Sequence, residues 1–373
     1  ENPIAELAAD QQIRTLPTDY DNLWLYDSDG RLLEDGEHDA LEAEAEAFFE
    51  AALEAANDEY DTDQSIQRAV DDHLARQPRS PRQQRVLDYF INSSVEHEYA
   101  ADIADLSLFA WDSGDGFGGG DVLFPGGYGQ IADFLAEGLD IRLGQPVSAV
   151  AYGDGGVTVE SAAGAFRAER AVITLPLGVL QKGDVDFDPP LPAVKQAAIR
   201  GLGMGLLNKL YLRFPRIFWP LEADLLGYIS PVKGEWNETL NFAHYTGKPV
   251  LLLFNAGSYG RAIENLSDEK IVAEAMERLR TIYGPEIPEP EAYQITRWAS
   301  DPFAWGSYSY LRPGTDGDTR DALAEPVADR LFFAGEATSS TYAATVHGAY
   351  LSGLRAAQEI TQYTNANTQR RIG

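Results

Sequence analysis

The feature that most constrains the fold is an apolar strand near the end of the chain that runs into a glycine turn and a helix. The segment is RLFFAGEATSSTYAATVHGAYLSGLRAA, residues 330–357. A helix that follows a strand presents unpaired N–H groups and a partial positive charge, which suit an anionic group such as a pyrophosphate. Gly335 permits close backbone approach, and Glu336 can accept hydrogen bonds from ribose-like hydroxyls. The pattern alone equally fits an ordinary strand–helix packing unit.

Length and charge limit the possible functions. The 373 residues exceed what one compact core usually holds, so two or three domains are expected. With 29 basic and 59 acidic residues, the net charge is −30, which disfavours nucleic acid as a partner. Such a charge attracts polycations or simply keeps a protein soluble. No run of about 18 apolar residues occurs, so we expect no membrane helix and a soluble protein, either cytoplasmic or exported.

The residues that usually bind metals are scarce. There is no cysteine, which excludes disulfides, thiolate catalysis and cofactors attached through cysteine. The five histidines are His38, His73, His97, His244 and His347. No two of them have the spacing of a metal pair, so the sequence predicts no metal site.

Hydrophobic periodicity predicts a mixture of helices and strands. An amphipathic helix is expected over residues 37–59, and Ser267 is expected to cap another helix. Alternating runs on either side of residues 153–156, which read Gly-Asp-Gly-Gly, indicate a hairpin. A closing helix is predicted over residues 345–363, with a polar, frayed tail from Thr364. Further strands are predicted at 171–177, which should be buried on both faces, and at 207–214, 250–254 and 331–337.

A glycine-rich segment at residues 106–130 interrupts this regular pattern. Its sequence, LSLFAWDSGDGFGGGDVLFPGGYGQ, is dense in glycine, aspartate and aromatic residues. Such a segment either turns repeatedly at the surface or brings backbone close to a ligand. Asp112 and Asp115 lie in it and are candidate partners for a charged substrate.

Three segments together carry a resemblance to a known family. Besides the C-terminal segment, they are AVITLPLGVLQKGDVDFDPPLP with the following LNKLYLRFPRIFW, and ITRWASDPFAWGSYSYLRPG. They resemble the flavin-containing amine oxidase family, and within it the polyamine oxidases and the related histone demethylases. The resemblance runs in family order from about Asn2 to about Glu359.

The resemblance assigns cofactor contacts to individual residues. Val147 matches a valine whose backbone contacts the adenine of FAD, and Glu336 matches the acid of the FAD-binding turn. Val346 matches the residue whose N–H meets the flavin pyrimidine edge. Together with Gly335, Thr345 and Trp298, these residues are the predicted binding site for non-covalently held FAD.

The same resemblance implies four catalytic residues. Lys209 matches a lysine that holds a water at flavin N5, although a strand lysine that extends its ammonium to solvent is the alternative. Trp298 matches a tryptophan that packs near the flavin, and Tyr308 matches one wall of an aromatic amine cage. Thr345 stands where some polyamine oxidases have the tyrosine of the other wall. This departure is similar to the plant peroxisomal type and the demethylases, and it widens the pocket.

The family's fold and reaction follow as expectations. The fold would be α/β (α+β), with a Rossmann-like FAD domain assembled from residues 119–198 and 326–363. The substrate domain, with a mixed sheet and helices, would comprise 2–118 and 199–325, and 364–373 would be a tail. A small-molecule amine would lose a hydride to flavin N5, and O2 would reoxidise the flavin. The products would be an aldehyde, an amine and hydrogen peroxide.

One part of the family pattern has no counterpart in the sequence. The family begins with a βαβ unit whose G-x-G-x-x-G turn holds the FAD pyrophosphate. We therefore expect roughly 60–70 further residues, or a second chain, to complete the FAD site. On that expectation the chain alone binds FAD weakly and is inactive.

Several substrates are compatible with the pattern. Oxidation of a polyamine, spermine or spermidine, is the leading hypothesis, and a monoamine or an L-amino acid is the alternative. An amino acid would require an arginine clamp, which the sequence does not identify. The lack of a long coiled-coil insertion argues against a histone demethylase. The alternative from another class is a non-catalytic binding protein on the same frame, which the missing segment favours and the retention of Lys209, Trp298 and Tyr308 opposes.

Overall fold

The computed structural model describes residues 1–372, except for the side chains of Asp35 and of residues 363–372. The helices are α1 (Pro3–Asp10), α2 (Asp35–Glu59), α3 (Ile66–Arg76), α4 (Pro81–Ile91), α5 (His97–Tyr99), α6 (Gly129–Ala136), α7 (Leu177–Lys182), α8 (Ala193–Gly201), α9 (Phe242–Thr246), α10 (Gly257–Ile263), α11 (Asp268–Tyr283), α12 (Gly317–Ala324) and α13 (Val346–Ile372). A π-helix (Asn92–Glu96) precedes α5, and a 3-10 turn (Glu336–Thr338) precedes α13.

The strands form one large sheet and several small ones. They are β1 (Leu16–Pro17), β2 (Leu23–Tyr26), β3 (Val122–Leu123), β4 (Val147–Gly153), β5 (Gly156–Ser161), β6 (Gly164–Ala168), β7 (Ala171–Ile173), β8 (Asp186–Asp188), β9 (Gly203–Met204), β10 (Leu207–Arg213), β11 (Leu225–Tyr228), β12 (Glu238–Asn241), β13 (Val250–Ala256), β14 (Ala292–Ile295), β15 (Ser309–Tyr310) and β16 (Leu331–Phe333).

The large sheet has the order β14-β10-β13-β12-β11-β2, with β11 and β2 parallel and the other pairs antiparallel. Along β10, Leu210 and Leu212 are buried while Lys209 and Tyr211 are half-buried, which confirms the predicted alternation. Alternate residues of a strand point to opposite faces, so the leucine face packs against α11. The hydroxyl of Ser267 accepts from the Lys270 N–H at the start of α11, as predicted.

A helical layer formed by α2, α3 and α4 packs around a second core. The helix predicted at 37–59 is confirmed as α2, whose Ala45, Phe49 and Ala52 face that core. The other two helices begin at side-chain caps, Ser65 for α3 and Ser80 for α4. Because the chain then enters the π-helix and α5, this layer carries residues 92–99 to the interior strands β12 and β13 of the large sheet.

A third core lies among the smaller sheets. The predicted hairpin is confirmed as β4 and β5, which belong to a four-stranded sheet of order β6-β5-β4-β8. β7 and β16 form a two-stranded parallel sheet. The prediction that 171–177 is a strand buried on both faces is wrong, since β7 ends at Ile173 and Val172 is 41% exposed. Among the described residues, β7 packs only its Ile173 face into the core, and Pro176 leads the chain into α7.

The predicted closing helix is confirmed as α13, although it begins at Val346 and extends to Ile372, through the segment predicted to be a tail. The side chains from residue 363 onward, and Gly373, lie outside the described residues. None of the described helices is both long and apolar enough to cross a membrane. The domain boundaries given above stay a prediction.

Candidate active site

The first part of the site lies where the parallel strands β7 and β16 end. Thr174 directly follows β7, and Gly335 lies two residues after the end of β16. Because the two strands are parallel, both residues lie at the same edge of the sheet. They line a cavity of about 200 Å³, here called the strand-end cavity, together with Pro176 and Glu336. Gly335 has φ +132°, and no atom lies within 4 Å of the position that a Cβ would occupy. Open backbone at the carboxyl ends of parallel strands fits an extended dinucleotide.

The start of α13 provides the second part. The Thr345 hydroxyl donates to the Tyr342 carbonyl (2.8 Å) and accepts from the Gly348 N–H (2.9 Å), so it caps the helix. A side chain at position 348 would collide with the Tyr342 carbonyl, and the glycine therefore allows the helix to start close to this loop. Val346 is 50% exposed. The positive end of a long helix is thus open to an electron-rich group.

Lys209 lies on β10 of the large sheet, opposite Phe254 of β13. Its ammonium is 5.9 Å from the centroid of the Phe254 ring and has no hydrogen-bond acceptor among the described residues. Burial lowers the pKa of Lys209 below that of an exposed lysine. Phe254 and Leu207 line the cavity described next, whereas Lys209 does not.

Aromatic and acidic side chains surround a cavity of about 450 Å³, here called the aromatic cavity, between the helical layer and the large sheet. Glu42, Glu98 and Glu238 line it. Glu98 is accessible to cavity water, yet the surrounding protein desolvates its carboxyl and, with Asp121 and Asp112, raises its pKa. The other lining residues that bear on recognition are Tyr20, His38, Tyr89, Phe90, His97, Phe254 and Tyr308.

The glycine-rich segment lines a second cavity of about 460 Å³, here called the glycine-loop cavity. Asp112 and Asp115 line it, and so does Thr345. The Asp112 carboxylate accepts from the Tyr99 hydroxyl at 2.6 Å, and the Asp115 N–H donates to the Thr341 carbonyl at 2.7 Å. The second hydrogen bond ties this segment to the loop before α13, so the segment contributes to a cavity wall.

Tyr308 and Glu98 line both cavities. The Tyr308 hydroxyl donates to the His97 carbonyl at 2.6 Å, which fixes the ring between the two spaces. Burial, and the nearby Glu98, raise the pKa of Tyr308, so the phenol stays protonated. The structure therefore brings Tyr308 and Thr345 to one cavity, the glycine-loop cavity, whereas Lys209 lines neither cavity and contacts Phe254 of the aromatic cavity.

Other predicted residues lie apart from these cavities. Trp298 follows β14, is 38% exposed and lines neither cavity, although the Asn208 side chain accepts from its backbone N–H at 3.2 Å. Val147 begins β4 of the four-stranded sheet and likewise lines neither cavity. Glu336 lines the strand-end cavity, its carboxylate accepts from Ser309 and Ala344, and its predicted contact with ribose-like hydroxyls stays a prediction. The roles of Trp298 and Val147 stay predictions.

Sequence reasoning missed the acids of the aromatic cavity. Glu42, Glu98 and Glu238 come from α2, α5 and β12, and they meet only through the fold. The only sequence signal available was local, because His38 and Glu42 have the i, i+4 spacing of one helix face, and their side chains are 3.6 Å apart. No group of three or more side chains that could hold a metal ion occurs among the described residues.

A larger cavity, about 730 Å³, lies between α12, the loop 338–342 and α13, and none of the predicted site residues lines it. It is an open groove, whereas the aromatic cavity is more enclosed. Its arginine, Arg355, donates to Glu359 and to the Phe333 carbonyl. The chemistry of the site therefore concentrates in the smaller cavities around Tyr308.

Comparison with known proteins decides the family. Residues 9–361 match the family of flavin containing amine oxidoreductases. The chain belongs to this family. Its members are oxidoreductases that act on amines, and their cofactor is FAD, which confirms the cofactor predicted from the sequence. The strand-end cavity, the open backbone at Gly335 and the start of α13 fit that cofactor.

Two curated relatives show how far the likeness extends. Polyamine oxidase 4 of Oryza sativa subsp. japonica is 37% identical over 372 residues, covering 96% of this chain and 76% of that protein. Lysine-specific histone demethylase 1 homolog 2 of Arabidopsis thaliana is 40% identical over 297 residues, covering 77% of this chain. The match spans only 39% of that demethylase homologue.

A solved structure of a putrescine oxidase double mutant, redesigned in cofactor binding, has the same fold. The TM-score is 0.73 at 19% identity, and the match covers 96% of this chain and 85% of that one. The likeness confirms the expected mixed α/β, two-domain fold of an amine oxidase.

Proposed function

We propose that the protein is an FAD-dependent oxidase of linear polyamines such as spermine and spermidine. The observation that carries the proposal is the distribution of acids around Tyr308. Glu42 and Glu238 line the cavity on one side of it, and Asp112 and Asp115 line the cavity on the other. A molecule with several spaced ammonium groups can meet a carboxylate on both sides, which a monoamine cannot do.

The chain's own residues prepare the amine for oxidation. When bound, FAD supplies the acceptor for a hydride from the carbon beside the amine nitrogen. The reacting nitrogen must be neutral, and the aromatic walls favour the neutral form because they disfavour the ammonium by desolvation. Tyr308 then holds the reacting carbon, since its own hydroxyl is fixed on His97. Lys209, with its unpaired and partly desolvated ammonium, would hold a water beside the flavin.

An amino acid is a poorer candidate substrate. Its carboxylate would need a free guanidinium, and Arg320 is the one arginine that lines either cavity among the described residues. Two of its nitrogens already donate to Ser309 and to the Ala337 carbonyl. The acids on both sides of Tyr308 would in addition repel a carboxylate.

Methylated lysine in a peptide is the second candidate. The named demethylase homologue, at 40% identity, favours it. A single methyl-lysine side chain carries one charge, however, and would leave the acids on one side of Tyr308 without a partner. A basic peptide could satisfy them, so both substrates belong in the same experiment.

The test is peroxide release by the full-length protein loaded with FAD. We expect a higher kcat/KM for spermine or spermidine than for benzylamine, an L-amino acid or a dimethyl-lysine peptide. A preference for benzylamine, or for the peptide, would replace the proposal with that alternative. Equal rates on all substrates would contradict it.

Substitution at Glu98 sharpens the test. Glu98→Gln removes a cavity charge, and we expect the KM for spermine to rise roughly tenfold, about 1.4 kcal/mol of lost binding. The KM for benzylamine should change less. Glu46→Gln, on the exposed face of α2, removes the same charge outside the cavity and serves as the matched control.

The pH dependence gives a second check on Glu98. Its pKa is raised, so the carboxyl becomes neutral at a higher pH than an exposed glutamate does. A neutral carboxyl attracts an ammonium less, and the KM for spermine should therefore rise as the pH falls through this pKa. Glu98→Gln should abolish that rise, and an unchanged acid limb would assign it to another group.

A further inference from the structure

The Glu336 carboxylate joins two segments of the chain that are far apart in sequence. One oxygen accepts from the Ser309 N–H at 3.2 Å. The other accepts from the Ser309 hydroxyl at 2.6 Å and from the Ala344 N–H at 2.9 Å. Ser309 directly follows Tyr308, and Ala344 directly precedes Thr345. The carboxylate therefore spans the backbones that carry the two predicted walls of the amine cage.

Arg320 fixes the same serine from the opposite side. Its guanidinium donates to the Ser309 hydroxyl at 2.6 Å and to the Ser309 carbonyl at 3.4 Å. Arg320 and Ser309 are only 3% and 2% exposed. Since the serine hydroxyl has one hydrogen, which goes to Glu336, and accepts from Arg320, the hydrogen bonds run in one direction. Every polar atom of Ser309 is thereby held.

The backbone at Ala344 shows the constraint at the other end. Ala344 has φ +61°, a left-handed conformation that alanine rarely adopts. Such a conformation persists only where surrounding contacts hold it, and the hydrogen bond from its N–H to Glu336 is such a contact. The next residue, Thr345, begins the capped helix and lines the glycine-loop cavity with Tyr308.

We propose that Glu336 is a positioning residue which, through Ser309 and Arg320, sets the separation between Tyr308 and Thr345. The width of the amine cage then follows from this clamp, here defined as Glu336, Ser309 and Arg320. The inference deepens the proposed function, on which the notion of a cage rests. Arg320 is buried, and a buried charge contributes little to stability compared with apolar packing. Its hydrogen bonds to Ser309 instead hold that residue in place. The clamp determines how large an amine headgroup the site accepts.

The decisive variant is Ser309→Ala in the full-length protein loaded with FAD. It removes the bridging hydroxyl but leaves both charges and the Ser309 backbone in place. We expect kcat/KM for spermine to fall about tenfold, because the cage walls lose their fixed separation. The ratio of kcat/KM for N-methylspermine to that for spermine should rise, since a looser cage accepts the larger headgroup. Ser309→Thr keeps the hydroxyl and should restore the ratio.

Ser352→Ala is the matched control. The Ser352 hydroxyl is equally buried and accepts from the N–H of Gly335, beside Glu336, but it touches neither cage wall. It should leave the substrate ratio unchanged even if it lowers the melting temperature. An equal change of the ratio in both variants would overturn the proposal, because any loosening of the turn would then suffice.

Hydrogen–deuterium exchange of the FAD-free protein separates this inference from the proposed function. The Ser309 and Ala344 amides should exchange at least about tenfold faster in Ser309→Ala than in wild type or Ser352→Ala. Unchanged exchange would overturn the clamp, whatever the enzyme oxidises. If the two amides exchange faster in Ser309→Ala but the wild-type protein oxidises no amine, the clamp stands and only the proposed function is wrong. Faster exchange with an unchanged substrate ratio would reduce the clamp to a structural role.

Discussion

Lys195 is buried and Lys209 is half-buried, and the surroundings of their ammonium groups differ. Lys195, on α8, is 2% exposed, and its ammonium donates to the carbonyls of Ala322 (3.3 Å) and Leu323 (2.6 Å) at the end of α12. The same ammonium lies 3.8 Å from the centroid of the Phe333 ring. Lys209 lies 5.9 Å from the Phe254 ring, and no acceptor for its ammonium occurs among the described residues.

Both pKa values are lowered by burial, so the pKa alone does not separate a structural lysine from one that serves chemistry. The hydrogen-bond partners do separate them. Lys195 satisfies carbonyls that a helix end would otherwise leave unpaired. Lys209 has no such acceptor among the described residues and lies against Phe254, which lines the aromatic cavity, so its donors are free to hold a water.

The largest effect should come from Lys209→Met in the complete, FAD-loaded protein. We expect the turnover of amine and O2 to fall roughly a hundredfold, as when one positioned donor is removed from an active site. Stability should change little, because no partner of the ammonium is left unsatisfied. Stopped-flow rates of flavin reduction and reoxidation measure it. If both rates equal those of wild type, Lys209 has no role beyond the fold and the comparison fails.

The reverse outcome is expected for Lys195→Met. Removing the ammonium leaves the last carbonyls of α12 without a donor, and the free energy of unfolding should fall by about 2 kcal/mol. Turnover per bound FAD should stay as in wild type. Urea denaturation measures the change, with exposed Lys248→Met as the control. A turnover loss that matches Lys209→Met would contradict the structural assignment.

Per pH unit, the smallest expected effect is the pH dependence of stability. Burial lowers the pKa of Lys195 from 10.5 to about 7, so the unfolded chain binds the proton more tightly than the folded one. The free energy of unfolding should therefore rise with pH across this interval, by at most about 1.4 kcal/mol per pH unit. This contribution of Lys195 to stability is fully present above the pKa of the unfolded chain, and it is lost as the pH falls through the pKa of the folded protein. The slope should shrink in Lys195→Met, and identical slopes would show that the two carbonyls keep the ammonium charged.

The sequence was sufficient where local patterns decide. The alternation along 207–214 placed Lys209 on the half-buried face of β10, and the glycines at 153–156 gave the hairpin. Ser267 identified the start of α11 because a helix needs an acceptor for its first N–H groups. The glycine turn predicted after the strand at 331–333 is present at Gly335, which has φ +132°. The close approach of its backbone to a ligand stays a prediction.

Long-range contacts were beyond such patterns. Nothing local shows that Glu98 and Glu238 meet across one cavity, or that the Glu336 carboxylate turns toward Ser309. Lys195 gave no signal either, since its acceptors lie on α12, far along the chain. The apolar run at 171–177 predicted complete burial, but burial depends on which neighbours cover a strand, and Val172 lies open.

The position of Tyr308 at the junction of two acidic spaces has a consequence for the products. On the proposed function, a flexible polyamine extends past this ring, and carboxylates in the two cavities bind its ammonium groups on both sides. The carbon–nitrogen bond that breaks then lies in the interior of the polyamine, and the enzyme does not remove a terminal amino group. The products would be two shorter fragments that each still carry nitrogen, and mass spectrometry of these fragments would show which carbon–nitrogen bond is broken.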